Sequence, residues 1–348
     1  MRRNGTGAWT VLAGLPAVGA LAAALAAVGY AWRGHTASAQ DAAPEASFCA
    51  LPAATTPAPA PGMVWVPAGR FTPGDSVYPE EQPAGPVQVS GFWMDRTEVT
   101  NDQFAEFVQA TGYVTTAERR LDAARHPGMP AELLQPGAVV FSPPAQMPAH
   151  ADANAWWRYV PGAHWRQPGG PGTGIAGRGA YPVVAVSHED AQAYARWKGR
   201  QLPSEVQWEW AARAARDEAR PAHEQPAQAN TWQGPFPVHN ARQDGFAGLA
   251  PVGCFAPNAL GLFDMIGNVW ELTRDVYTPQ RGDTPSSGSP LLTVRQKAHV
   301  IKGGSFLCSA DYCMRYRAGA RQPQDDELGT SHVGFRTVLD APPPGSPS

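Results

Sequence analysis

The chain has 348 residues, 43% hydrophobic and 16% charged, with 36 glycines, 36 prolines and a formal net charge of −3. So few charges, with about a fifth of the chain Gly or Pro, fit a compact, loop-rich fold with modest helix and strand content. The near-neutral balance offers no basic stripe and speaks against a nucleic-acid partner.

Taken in chain order, Met1-Arg2-Arg3 is basic and residues 8–32 carry no charged side chain. Thr36-Ala37-Ser38-Ala39 then ends in an Ala-x-Ala pattern suited to a signal peptidase. Residues 1–39 therefore read as a signal peptide. They also read as a signal anchor, because the apolar run is long enough to span a bilayer. Both readings place the folded part outside the cytoplasm. Residues 40–62, mostly Ala, Pro and Thr, read as a linker, and residues 342–348 as a short flexible tail. One domain over residues 63–341 is the simplest account, and it is expected to be monomeric.

Within that domain, Met63-Val64-Trp65-Val66 and the run through Phe71 predict a strand, a turn and the start of a second strand. Residues 87–94 alternate like a further strand. Three helix starts carry capping boxes: Thr100-Asn101-Asp102-Gln103, Ser187-His188-Glu189-Asp190 and Ser204-Glu205-Val206-Gln207. Long loops are expected at 115–179 and 214–261, and loops of that length carry function or need a fastener.

Four cysteines are present, and two of them, Cys308 and Cys313, sit five positions apart in a glycine-led, arginine-rich segment. A close thiol pair can be a disulfide, a redox couple or a soft-metal site, and spacing alone leaves all three open. Cys49 falls in the linker. Cys254 reads as a small buried hydrophobe, with a bond to Cys49 left open.

Several motifs together resemble the formylglycine-generating enzyme family. They include Asp95-Arg96-Thr97-Glu98-Val99-Thr100-Asn101, Gly199-Arg200-Gln201-Leu202-Pro203-Ser204-Glu205, Gly261-Leu262-Phe263-Asp264-Met265-Ile266-Gly267-Asn268-Val269-Trp270-Glu271 and Gly334-Phe335-Arg336. Most are shared with a wider superfamily of sulfoxide synthases and non-catalytic relatives. The discriminating run is Gly303 through Arg317, which matches the family's Gly-Gly-Ser-x-x-Cys-x-x-x-x-Cys-x-Arg-Tyr-Arg pattern position for position. The resemblance implies an α+β fold: one loop-rich, C-type-lectin-like domain of low regular secondary structure. It implies a copper(I) ion held by Cys308 and Cys313, dioxygen as oxidant, and conversion of cysteine to formylglycine in the Cys-x-Pro-x-Arg motif of an unfolded sulfatase polypeptide. Ser305 corresponds to the family's active-site serine, and Trp270 to a tryptophan lining the oxygen and substrate pocket.

Two thiolates suit copper(I) on chemical grounds as well, since soft ligands select soft metals. Arg315 and Arg317 could favour the thiolates, or pair with carboxylates and pin the strand. The resemblance further implies two calcium sites. Asn230 and Asp244 would give side chains to the first, with the Thr231 and Phe246 carbonyls. Asp264 and Glu271 would do so at the second, with the Gly267 and Val269 carbonyls. Such mixed oxygen sets suit calcium, although Asn and Asp also serve as ordinary turn residues.

The bridge cysteines of some exported relatives are replaced by Ala195, Ala318 and Thr337. Stability is therefore expected to rest on core and calcium rather than on disulfides. No His-x-x-x-His-x-Glu iron motif, Gly-x-Ser-x-Gly elbow or phosphate loop is present, and His188 and His332 read as structural. Two rival functions remain on the same fold: a non-catalytic binding module with a Cys308–Cys313 disulfide, and an oxidase acting on another thiol.

Overall fold

The capping boxes predicted from the sequence open the three α-helices of the computed structural model, which describes Cys49, Leu51 and residues 61–147, 156–214, 228–281 and 298–341. The expected leader, most of the linker and the tail lie outside the described residues. Helix α1 spans Asn101–Thr111, α2 His188–Trp197 and α3 Glu205–Ala212. At α1 the Thr100 hydroxyl accepts from the Gln103 amide at 3.3 Å, and the Gln103 side chain accepts from the Thr100 amide at 2.9 Å. Two otherwise orphaned donors are satisfied there reciprocally. The helix stops at Gly112, whose φ of 68° closes the last turn in a conformation that glycine tolerates best.

The strands are short. Strand β1 (Met63–Val66) pairs antiparallel with β4 (Phe92–Asp95), whose other edge takes β11 (Val338–Leu339). Strands β2 (Gly69–Phe71) and β3 (Val87–Val89) form a two-stranded ribbon, as do β5 (Gly137–Phe141) and β6 (Trp157–Pro161). The second large sheet runs β10-β7-β8-β9, where β7 is Trp270–Val276, β8 Ala298–Lys302, β9 Gln322–Asp325 and β10 Val333–Gly334. The single strand expected over 87–94 is thus divided into β3 and β4. The break falls at Gly91, where a Cβ would lie 2.3 Å from the Trp65 ring. This is the α+β, loop-rich architecture expected, with long stretches of irregular backbone between few elements.

The main apolar core gathers Phe104 and Phe107 of α1, Tyr194 of α2, Trp270 and Leu272 of β7, Phe335 and Cys308. Charge is buried beside it. Lys302 is fully buried and donates to Glu209 at 3.0 Å, and Glu209 also holds Arg213 at 2.7 Å. Burial would raise the Glu209 carboxyl, but Lys302, Arg281 and Arg213 outweigh it and hold it below its usual range.

One expectation is corrected. Cys49 and Cys254, 205 positions apart, are joined in a disulfide. Cys254 is therefore not a lone hydrophobe, and the domain does use a covalent fastener. No local pattern marks a bond between residues so distant. Leu51, although exposed, lies 2.3 Å from where a Cβ on Gly253 would be. Cys254→Ser should lower the unfolding free energy by about 2–4 kcal/mol, read from the denaturant midpoint together with a slope that rises as the unfolded chain expands. No change on substitution or on reduction would mean that the bridge fastens nothing.

His188, expected to be structural, is buried in unusual company. Its ring stacks on His299 with centroids 3.5 Å apart, Nε2 faces the Thr273 carbonyl at 3.0 Å, and His299 Nδ1 meets Asp326 at 2.5 Å. Burial, then the neighbouring His299, lowers the His188 pKa to about 4, against opposition from Asp326 and Thr273. A base whose folded pKa is depressed lets the unfolded chain bind the proton first, so acid costs stability between pH 6.5 and about 4. Measured against His188→Gln at each pH, wild type should lose about 1.4 kcal/mol per pH unit across that window, and the gap should be flat above it. A constant gap would refute this.

Candidate active site

The turn at Gly303-Gly304 sets the geometry of the thiol segment. Both residues have positive φ, 95° and 76°, and a Cβ on Gly304 would lie 2.8 Å from the Arg315 carbonyl. Only glycine lets residues 304 and 315 pass so closely. Beyond it, the Cys308 amide donates to the Ser305 carbonyl at 2.9 Å and the Leu307 amide to Ser305 Oγ at 3.3 Å. The Cys313 amide donates to the Ser309 carbonyl at 3.1 Å.

These turns bring the sulfurs of Cys308 and Cys313 to 2.9 Å, and both cysteines are free. A disulfide bond is about 2.05 Å, so this pair is unbonded. Cys308 is buried and Cys313 partly exposed. Burial, then the contact with Cys313, pushes the Cys308 thiol well above its usual value. The hydrogen bond from Cys308 lowers Cys313 despite burial, helped by the Arg315 amide and guanidinium. The two sulfurs are within hydrogen-bond reach of each other, and either can be the donor.

Arg315 and Arg317 also pin the segment. Arg315 reaches Glu80 at 2.5 Å and Glu81 at 2.9 Å, and lies 3.9 Å over the Tyr78 ring. Arg317 pairs with Glu81 at 2.6 Å and with Asp75. Both functions considered for these arginines are thus present, strand pinning through the guanidinium groups and an electrostatic pull on Cys313 through Arg315. Ser305 is fully buried at the foot of the turn. Trp270 is buried in the same core as Cys308, and its amide donates to the His332 carbonyl at 2.9 Å.

Two free, adjacent thiols fit a soft monovalent ion by their donor chemistry. At the first oxygen cluster, Asn230 is 1% exposed and its Oδ1 has no hydrogen-bond partner. Its Nδ2 is fixed by the Gly248 carbonyl and Asn268, so the amide cannot turn without loss. Asp244 accepts from the Thr231 and Phe246 amides, at 3.2 and 3.0 Å, which brings three of the four expected residues together, with Asn230 the chain neighbour of Thr231. Gln233 Nε2 lies 2.5 Å from the Thr231 carbonyl and 2.8 Å from Asp244 Oδ2. A buried acceptor left without a donor costs about 1–3 kcal/mol, so this cluster fits a hard cation.

The second cluster is more acidic than the sequence suggested. Glu98, Asp264 and Glu271 are all buried, and Arg336 is the guanidinium among them. Both Glu271 oxygens are engaged, by Arg336 Nε and Nη2 at 2.7 Å and Trp208 Nε1 at 2.7 Å. Glu98 gives one oxygen to Asn268 Nδ2 at 3.0 Å, and its Oε2 has no partner. Burial, then repulsion from Asp264, drives Glu98 well above its ordinary value. Burial, joined by Glu271, pushes Asp264 up to about 6. Three buried carboxylates facing one arginine fit a cation as well. Glu98 is the residue missed there, because its partners lie some 170 positions away. Its one local signal is that the segment 95–101 holds more acid than its single arginine can balance.

The sulfatase-modifying factor enzyme 1-like domain matches residues 49–341. The chain is 47% identical over 293 residues to a Mycobacterium tuberculosis protein named formylglycine-generating enzyme, covering 80% of this chain and 97% of that one. It is also 38% identical over 291 residues to a mouse protein named inactive C-alpha-formylglycine-generating enzyme 2, covering 81% and 86%. Among solved structures it resembles PvdO from Pseudomonas aeruginosa, with a TM-score of 0.51 at 24% identity over 80% of this chain and 94% of that one. That last likeness speaks to the fold alone. With the domain matched from Cys49 to Ala341, the chain belongs to the formylglycine-generating enzyme, or sulfatase-modifying factor, family.

Proposed function

We propose that the protein is a copper-dependent, dioxygen-using enzyme that converts the cysteine of a Cys-x-Pro-x-Arg motif in a sulfatase polypeptide to formylglycine. The observation that carries this reading is the free thiol pair, 2.9 Å apart, one sulfur buried and one reachable. Family alone does not decide it, since the family includes a relative named inactive. Cys308 and Cys313 would hold the ion, and copper(I) there supplies a soft centre for a third thiolate and for reduction of dioxygen.

The chain's own contribution is positional. The Arg315 amide and guanidinium favour negative charge on Cys313, while burial opposes it on Cys308. Arg315 and Arg317 keep those donors in place through Glu80, Glu81 and Asp75. Oxidising a cysteine to an aldehyde with loss of sulfide removes two electrons, while full reduction of dioxygen takes four. An external two-electron reductant is therefore a co-substrate. Reduced protein loaded with copper(I) should convert a Cys-x-Pro-x-Arg peptide to an aldehyde in oxygen, detected by mass loss and hydrazide capture. A complete lack of aldehyde would sink the reading.

The oxygen clusters are read as calcium sites, with Glu98 added to the second. Calcium should raise the melting temperature and a chelator should reverse the rise. Asn230→Ala and Glu98→Gln should each remove part of it, since a ligand that binds only the folded state stabilises by mass action. An identical melting curve with and without calcium would count against both sites. The disulfide favours an oxidising compartment, in keeping with export.

A further inference from the structure

Beside the thiols lies an open cleft of about 690 Å³. That size falls in the range of ligand-holding sites, about 300–1,000 Å³. Its walls are aromatic and aliphatic, with Phe141, Trp232, Phe306 and Leu249 among them, and Arg178 and Arg242 also line it.

The cleft is continuous with the reactive segment. The Trp232 amide donates to the Cys308 carbonyl at 2.9 Å, and Phe306 stands two residues before Cys308. The Phe141 ring is 5.8 Å from Phe236, which stacks at 4.0 Å on Tyr312, the neighbour of Cys313. Tyr312 is 46% exposed, so this aromatic path surfaces on the side where Cys313 is accessible.

Both arginines are exposed, and among the described residues neither has a carboxylate within ion-pair distance. The contrast with Arg315 and Arg317, each held by two acids, is direct. Arg242 also keeps a left-handed φ of 54°, braced by its amide donating to Asn240 Oδ1 at 3.0 Å. A non-glycine residue pays for that conformation, and it persists only where the surroundings fix it. A cleft edged by two unpaired cations repels the arginine of a Cys-x-Pro-x-Arg motif and attracts acid.

We propose that this cleft is a subsite for substrate polypeptide flanking the target cysteine, in which Arg178 and Arg242 select acidic residues. The inference rests on the sulfatase-polypeptide reading above and adds a preference to it. Apolar side chains of the flank would cover Trp232 and Phe306, while carboxylates meet the arginines at the rim. Exposed ion pairs are each weak, about 0.2–1 kcal/mol, so each arginine should change affinity by a fewfold rather than by orders of magnitude.

The test uses Cys-x-Pro-x-Arg peptides with acidic, neutral or lysine-rich flanks on either side of the motif. Wild type should turn over one acidic-flank peptide with kcat/KM about tenfold above its lysine counterpart, through KM and at unchanged kcat. Arg178→Glu with Arg242→Glu should reverse that order, read as the ratio of kcat/KM for the acidic and lysine peptides within each protein. A flat series, or an order that survives the double reversal, overturns the subsite. If wild type makes no aldehyde even from the neutral peptide, the activity reading has failed. Calorimetric titration of the same peptides, which needs no turnover, then decides the subsite by the same reversal.

Discussion

Cys308→Ser and Cys313→Ser should each lower aldehyde formation by about a thousandfold or more, the scale expected when a group acts as part of one unit and is removed. The two positions differ in burial, yet the loss should be alike. The buried Cys308 and the partly exposed Cys313 are halves of one donor set, 2.9 Å apart, and a single thiolate cannot complete a two-sulfur site. Copper(I) bound per chain, measured by competition against a chromophoric chelator, should fall from one to near zero in either variant. Melting temperatures should shift little by comparison, since Ser replaces Cys at similar volume. If one variant kept full activity and full copper content, the paired-thiol site would be wrong. If both lost only stability, the thiols would be packing groups and no more.

The largest effect on stability is expected at Arg336. Its guanidinium donates to Glu271 twice, at 2.7 Å, and to the backbone carbonyls of Asp95, Arg96 and Phe263. Arg336→Met would remove all of these and leave Glu98, Asp264 and Glu271 buried with no arginine among them. Breaking a buried pair from one side costs about 3–5 kcal/mol, because a charge is left without compensation. The loss should be visible in a urea midpoint and should be largest without calcium. Arg336→Lys should rescue only part, since an ammonium cannot reproduce the bidentate fork. A loss under about 1 kcal/mol would show that the acids shed their charge instead.

The parts of this protein that could be read in advance are those whose partners are close in sequence. Ser187 and Asp190 lie three residues apart, so their capping box could be read directly. Gly303 to Arg317 could be read only through its match to a family pattern, since spacing alone left the role of the two thiols open. Glu98 waits on Asn268, Arg315 waits on Glu80 and Glu81 some 235 positions back, and Cys49 waits on Cys254. Those pairings are choices of the tertiary fold, and alternation or spacing carries no trace of them. The cleft belongs to the same class, since Val140, Arg178, Trp232 and Ser331 meet only once the chain is closed.

The small sheet β1-β4-β11 bears on how the molecule is made. Val64 and Val338 flank Met94 from opposite edges, so the first and last strands stand about 10 Å apart, two strand spacings. The central strand gains its second neighbour from a strand far later in the sequence, and Arg336 arrives equally late to meet Glu271. Domains usually fold as units during synthesis, N-terminal parts first. Here the sheet β1-β4-β11 is complete only once Val338 and Leu339 are present. Until β11 arrives, the free edge of β4 is an unpaired strand edge, open to pairing with another chain.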